Sequence, residues 1–298
     1  MSKIFVTGAT GVLGRRAIPL LVAAGHDVTA LARSAEKAST LVDQGATPIE
    51  CDLFDPESVR SAVAGHDAIA HLATNIPTGS SAMRKRGWRT NDRLRSEGSR
   101  NLAAAAVDLG IGRYLQESIT FPYADGGDAW IDEQAACDYF WGNRTTADAE
   151  RSAASVTAAG GAGVVLRFAM FMATDSAHMQ TYVQLAGKGM WGLFGTDEGY
   201  ASFVAADDAA AAVVAALDAP AGTYNIAESE PLRRSDHRSA LAAAVGRTGL
   251  RTLPLVERMA GEAGENLARS HRISSRAFRD VTPWQPTVAA VDVWSRFP

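Results

Sequence analysis

The chain has 298 residues, 47% of them hydrophobic and 21% charged, with a mean hydropathy of −0.06. That is enough to bury one large core, or a core and a smaller lobe. A net charge of −4 gives no electrostatic reason to bind nucleic acid. No run approaches the roughly 18 apolar residues of a bilayer span, and the N-terminus lacks a signal-peptide core, so the expectation is a cytoplasmic protein that engages neither nucleic acid nor membrane.

From residue 3 to about residue 170, short Val- and Ile-rich runs alternate with longer Ala-rich stretches of helical period. That alternation predicts βαβ units and a doubly wound parallel sheet. Strands are expected at residues 4–6, 26–32, 46–50, 68–72, 113–116 and 163–168, and helices near 12–24, 34–44, 56–64, 88–110 and 142–160. Beyond residue 170 the pieces shorten, with strand candidates at 201–204 and 222–226. The expected division is a dinucleotide-binding domain over residues 1–170, with returning elements from about 200–226, and a smaller C-terminal substrate lobe mainly over 171–298. Cys51 and Cys137 have neither CxxC spacing nor a nearby His cluster, so they read as buried or half-buried thiols, with no metal site.

The strongest signal is Thr7-Gly8-Ala9-Thr10-Gly11-Val12-Leu13-Gly14, between the first strand and the first helix. Glycines 8, 11 and 14 permit a tight turn, close approach of backbone to a pyrophosphate, and tight helix–strand packing, while the helix N-terminus attracts negative charge. A Rossmann-type α/β fold follows, with Thr10, Val12 and Leu13 beside the phosphates. An acid at the end of the second strand would bind the ribose hydroxyls of NAD; the sequence there reads Leu31-Ala32-Arg33-Ser34. A guanidinium suits a 2′-phosphate instead, so Arg33 favours NADP(H).

With these residues in view, the chain resembles the short-chain dehydrogenase/reductase superfamily, in its extended and atypical branch of NAD(P)-dependent epimerases, dehydratases and reductases. The glycine loop matches its TGxxGxxG. Asp52-Leu53 resembles the pair that contacts adenine, Leu72-Ala73-Thr74 the segment beside the cofactor after the fourth strand, and Asn91 the Asn of the fourth helix. Ser118 looks like the active-site serine, Leu166-Arg167-Phe168 like the strand leading to the nicotinamide, Asp207-Asp208 like a helix N-cap, and Trp284-Gln285-Pro286 like the terminal Trp-x-Pro. The resemblance implies binding of NADP(H) and a small-molecule substrate, and a homodimer.

The family's Tyr-x-x-x-Lys departs here. The only lysines are Lys3, Lys37, Lys85 and Lys188, none between Ser118 and the sixth strand. Anchoring on Glu150 puts Thr146 at the lysine position and Gly142 at the tyrosine; anchoring on Tyr139 puts Asn143 at the lysine. Candidate proton donors are therefore Tyr123, expected on a loop able to swing toward the nicotinamide, and Tyr139, with Arg144 as a neighbouring cation. Ser118 would polarise a carbonyl. A neutral tyrosine can donate during reduction without first being a phenolate, which makes reduction easier to support than oxidation.

The run Arg84-Lys85-Arg86-Gly87-Trp88-Arg89, continuing to Arg93, Arg95 and Arg100, follows the fourth strand. It reads either as a solvated face with Asp92 and Glu97 as partners or as a clasp for a substrate anion. The expected activity is NADPH-dependent reduction of a small or medium carbonyl or activated alkene. The alternatives are a non-redox epimerase, dehydratase or isomerase on the same cofactor, and an NmrA-like NADP(H)-sensing protein without catalysis.

Overall fold

Ile4, Phe5, Val6 and Thr7 in the first strand are all fully buried, so both faces are covered, as in the centre of a parallel sheet. The computed structural model describes residues 1–77, 81–82 and 84–297. The first half runs β1 (Lys3–Thr7), α1 (Gly14–Ala23), β2 (Asp27–Leu31), α2 (Ala35–Asp43), β3 (Thr47–Ile49), α3 (Pro56–Val63), β4 (Ala68–His71), α4 (Lys85–Arg93), α5 (Ser99–Leu109), β5 (Arg113–Ile119), β6 (Trp130–Ile131), α6 (Thr146–Ala158) and β7 (Ala162–Phe168). Next come β8 (Met170–Met172), α7 (Ala177–Gly187), β9 (Tyr200–Ala201), β10 (Phe203–Ala205), α8 (Ala206–Ala215) and β11 (Gly222–Ile226). The chain closes with β12 (Leu232–Arg233), α9 (Arg234–Ala244), α10 (Pro254–Met259), α11 (Glu262–Ala268), β13 (Arg272–Ile273), α12 (Arg276–Val281) and α13 (Ala290–Trp294).

Seven parallel strands form one sheet in the order β3-β2-β1-β4-β5-β7-β11. The chain winds outward from β1 to β3, returns to β4 beside β1, and winds the other way. Ligands of such sheets bind at that reversal, beyond the carboxyl ends of the strands. On one face Ile4 and Val6 pack with Ala17, Ile18 and Leu21 of α1 and Ala209 and Val213 of α8. On the other, Phe5 and Ile69 meet Val59 and Val63 of α3, Leu102 and Ala106 of α5, and Val156 of α6. A third cluster, with Met179, Phe203, Leu241, Val293 and Trp294, is built entirely from residues after 170.

Local chemistry explains the boundaries. The Asp55 side chain accepts from the Glu57 amide at 3.2 Å and Pro56 opens α3; Gly110, at φ +68°, closes α5 in the left-handed region. The single helix expected over 88–110 is instead α4, a π-helical turn at Leu94–Gly98, and α5. There the Leu94 carbonyl accepts from His71 Nε2 and from Ser99 Oγ, both at 3.3 Å, while Arg95 turns inward to Glu117. Such turns recur at functional sites. The helix expected from 142 starts at Thr146, because Gly142 and Asn143 belong to a tight turn: a Cβ at Gly142 would stand 2.7 Å from the Phe140 ring, and Asn143 Oδ1 accepts from the Phe140 amide at 3.0 Å. Asp207 and Asp208 sit in the first turn of α8, whose N-cap is Ala205. Asp208 accepts from Thr287 and Val288, fastening the C-terminal segment, and Trp284 Nε1 donates to the Asp208 carbonyl.

Candidate active site

At the reversal point the glycine loop joins β1 to α1. Gly8 has φ +72°, and a Cβ there would lie 2.5 Å from the Leu72 carbonyl carbon, so the loop lies directly against the chain leaving β4. At Gly14 a Cβ would stand 2.2 Å from the Gly8 carbonyl oxygen, whereas at Gly11 the nearest atom is 3.3 Å away and the residue is exposed. Among the described residues, the backbone amides of Thr10, Val12 and Leu13 donate to no protein acceptor. Three free donors ahead of a helix N-terminus have the chemistry to hold an anion such as a pyrophosphate. Thr7 is not part of it. His71 Nε2 faces the Leu94 carbonyl and must donate, so Nδ1 accepts from the Thr7 hydroxyl at 2.6 Å. Burial holds His71 neutral, its pKa lowered to about 4.

Arg33 stands exposed at the end of β2 with no side-chain hydrogen bond or ion pair among the described residues. Asp52 is exposed and its carboxylate accepts from the Phe54 amide at 2.9 Å, while Leu53 is buried beneath it. Leu72, Ala73 and Thr74 run outward from β4, from buried to exposed. Asn91 is fully buried; its Oδ1 accepts from the Asn75 amide at 3.0 Å and its Nδ2 has no partner among the described residues. A buried orphan donor on this rim is a group waiting for an acceptor. Arg15 and Arg16, which the sequence reading passed over, tie α1 to Asp175 at 2.6 and 2.9 Å, and Arg16 also reaches Asp207 at 2.8 Å.

Toward β5 and β7 the site is a chain of polar contacts. Ser118, fully buried, donates to Glu150 Oε1 at 2.7 Å. Arg167 binds the same carboxylate through Nε at 2.8 Å and Nη2 at 2.7 Å. Its Nη1 donates to the Tyr123 hydroxyl at 2.8 Å, and that hydroxyl donates to Asn225 Oδ1 at 2.8 Å. Burial works against the guanidinium charge, but Glu150 outweighs it and Arg167 is held well above its ordinary range. Beside this chain lies a second buried pair, Arg95 to Glu117 at 3.2 Å.

These contacts change the reading of two expected residues. Tyr123 is not on a free loop: it is 1% exposed, its hydroxyl is engaged on both sides, and burial pushes its pKa up to about 12 against the pull of Arg167. Ser118 spends its proton on Glu150 and has none to offer a carbonyl in this arrangement. Tyr139 is the open phenol, 39% exposed, its pKa pushed up to about 12 by burial and by its contact with Cys137. Glu150 raises it further and Arg167 is the cation that opposes this, while Arg144 instead faces Asp92. Thr120, one residue past β5, is 3% exposed and its hydroxyl makes no hydrogen bond among the described residues. Phe168 is buried against Phe171, and Met172 and Trp191 belong to the third core cluster. His178 Nε2 donates to the Phe171 carbonyl at 2.9 Å, a structural contact.

The comparisons agree with this geometry. The chain belongs to the NAD(P)H-binding family, which it matches over residues 8–220; it is an α/β protein built on a parallel seven-stranded sheet. It is 30% identical over 307 aligned positions to a 3-diazoavenalumate denitrifying reductase of a Streptomyces species, covering 96% of each chain. A shorter match, 36% over 124 residues, covers 42% of this chain and 35% of a farnesyl-dihydroquinoline-oxide ketoreductase of Stigmatella aurantiaca. In fold it is similar to the UDP-N-acetylglucosamine 4-epimerase of Bacillus cereus (TM-score 0.76, 20% identity, 99% and 97% of the two chains). The same holds for a Bordetella bronchiseptica enzyme solved with NAD and UDP (TM-score 0.76, 18% identity, 99% and 93%). The Streptomyces and Stigmatella relatives are both named as reductases. No helix among the described residues is long and apolar enough to cross a membrane.

Proposed function

We propose that the protein is an NADPH-dependent reductase of a small or medium organic carbonyl or activated alkene. The cofactor would lie across the glycine loop, with its pyrophosphate on the amides of Thr10, Val12 and Leu13, its 2′-phosphate at Arg33, its adenine near Asp52 and Leu53, and its nicotinamide half along Leu72, Ala73, Thr74 and Asn91 toward Phe168. When bound, a reduced nicotinamide supplies hydride. Thr120 has the free hydroxyl to polarise a carbonyl, and Tyr139 the proton for the developing alkoxide. Ser118, Glu150, Arg167 and Tyr123 act as one hydrogen-bonded unit near Tyr139 in which Glu150 offsets the charge of Arg167, so it keeps the phenol protonated instead of lowering its pKa as a lysine would. The lobe of residues 171–298 would select the substrate.

The observation that carries the direction of reaction is Tyr139. A phenol at about 12 is protonated at neutral pH, able to give a proton and poorly able to take one. The test is NADPH consumption with a panel of ketones, aldehydes and enones, each run with Tyr139→Phe. Stoichiometric NADPH loss matched by reduced product supports the reading; product isomerised without NADPH loss refutes it.

A second reading is favoured by the full-length relative whose name denotes reduction of a diazo compound. With a diazonium cation as substrate, hydride from the bound cofactor would form the new C–H bond while dinitrogen leaves with the C–N electron pair, a balance that would need no protein acid. The missing Tyr-Lys pair suits that chemistry, and Tyr139→Phe would then leave the rate unchanged.

A further inference from the structure

Between α4 and the turn ahead of α6 lies a cleft of about 300 Å³ lined by Lys85, Arg86, Arg89, Asp92, Trp141 and Arg144. Four cations therefore face one carboxylate in a protein whose net charge is −4. That carboxylate is already used: Asp92 Oδ1 accepts from the Thr145 hydroxyl at 3.0 Å, and burial raises its pKa. Among the described residues, none of the four cations makes an ion pair or side-chain hydrogen bond. Lys85 Nζ has only the Trp141 ring, 6.0 Å away. Their neighbours differ. Arg93, one turn on, pairs with Glu97 at 2.8 Å, and Arg95 with Glu117 at 3.2 Å. Another cleft, of about 450 Å³, mixes Asp125, Glu257 and Glu265 with Arg258 and Arg269. The α4 cleft, unlike that one, combines a positive excess with unspent donors among the described residues.

One wall is aromatic. Trp141 meets Trp88 edge-on at 6.2 Å and Phe140 at 5.3 Å, and Trp88 is fixed by a 3.0 Å hydrogen bond to the Ala82 carbonyl. Along the chain, Trp141 is two residues from Tyr139, and Asp92 adjoins Asn91 on the cofactor rim. Like charges held together without partners repel one another, and a bound anion would relieve that repulsion while taking charge-assisted hydrogen bonds.

We propose that this cleft receives the carboxylate of the substrate, with its conjugated or aromatic body along Phe140 and Trp141 toward Tyr139. The substrate class is thus an unsaturated or aryl carboxylic acid. This rests on the reductase reading, because it takes Tyr139 and Asn91 as the reacting end.

The experiment measures binding of cinnamate, cinnamate methyl ester and inorganic phosphate by calorimetry, with the full chain alone and with NADPH present. Cinnamate should bind and the ester should bind at least about tenfold more weakly, the loss expected for a charged hydrogen-bonded contact. Arg89→Gln with Arg144→Gln should weaken cinnamate by a similar factor and leave NADPH binding unchanged, while Arg93→Gln changes neither. Equal binding of acid and ester, no binding of either, or displacement of cinnamate by equimolar phosphate would overturn the proposal. NADPH affinity is read separately, so loss of dinucleotide binding with cinnamate retained counts against the reductase reading alone.

Discussion

Replacing Glu150 by Gln removes one charge from the centre of the polar chain and almost no volume. The Glu150 and Arg167 side chains are 15% and 11% exposed, so the pair is nearly desolvated. Breaking a buried pair by removing one partner costs about 3–5 kcal/mol, because the other charge is left uncompensated. Two features reduce that here: a Gln oxygen can still accept one of the contacts now at 2.7 to 2.8 Å, and Arg167 keeps Tyr123. An expected loss of roughly 2–4 kcal/mol follows, or a fall in Tm of roughly 3–6 °C for a chain of this size. The double variant Glu150→Leu, Arg167→Met leaves no orphaned charge, so it should recover at least half of the summed single losses. Scanning calorimetry on the parent, Glu150→Gln, the single variants Glu150→Leu and Arg167→Met, and the double variant reads this directly. A Glu150→Gln protein melting within about 2 °C of the parent, or strict additivity in the double variant, would refute the idea of one coupled unit.

Three further outcomes follow from the same geometry. Tyr139→Phe should lower kcat for carbonyl reduction by about 10²-fold, whereas Tyr123→Phe should cost about 1–2 kcal/mol of stability and only a few-fold in kcat; steady-state rates and melting curves that reverse this order would contradict the assignment. Gly8→Ala, which puts a Cβ 2.5 Å from the Leu72 backbone at φ +72°, should abolish NADPH binding by titration, and unchanged affinity would count against the loop as the anion site. His71 has its folded pKa depressed to about 4 from 6.5, so its contribution is present above pH 6.5 and is lost as pH falls toward 4. The destabilisation of His71→Asn relative to the parent, measured by urea unfolding, should therefore shrink by about 3 kcal/mol over that window; a constant gap would show His71 to be unperturbed.

The alternation of short apolar runs and Ala-rich stretches was enough to read the sheet, because the strands β1, β4 and β7 are buried on both faces and carry largely apolar sequence. The glycine loop was legible for a similar reason: Gly8 and Gly14 are positions where a Cβ collides with backbone, and only one residue type satisfies them. What the sequence hid were contacts between residues far apart in the chain. The π-helical turn at Leu94–Gly98 depends on His71 and Glu117, neither visible to a local helical pattern. Tyr123 read as a loop residue, yet Arg167 and Asn225, 44 and 102 residues away, lock it in place. Arg167 itself carried a signal that passed unused: a charged residue inside the apolar strand β7 requires a buried partner, and Glu150 was the acid already noted. Thr120 gave no such signal, since its distinction is the absence of a partner, which only coordinates reveal.

The central claim is that this chain holds NADPH through Arg33 and uses it as a reductant, and its first half is tested most directly by fluorescence titration with NADPH and NADH, on the parent and on Arg33→Ala. Arg33 has no protein partner among the described residues to lose, so the substitution should leave folding and NADH affinity intact. The account predicts a preference for NADPH of at least about tenfold that collapses in the variant, as for loss of a charge-assisted contact. Equal affinity for the two dinucleotides in the parent, or a preference that survives in Arg33→Ala, would contradict it.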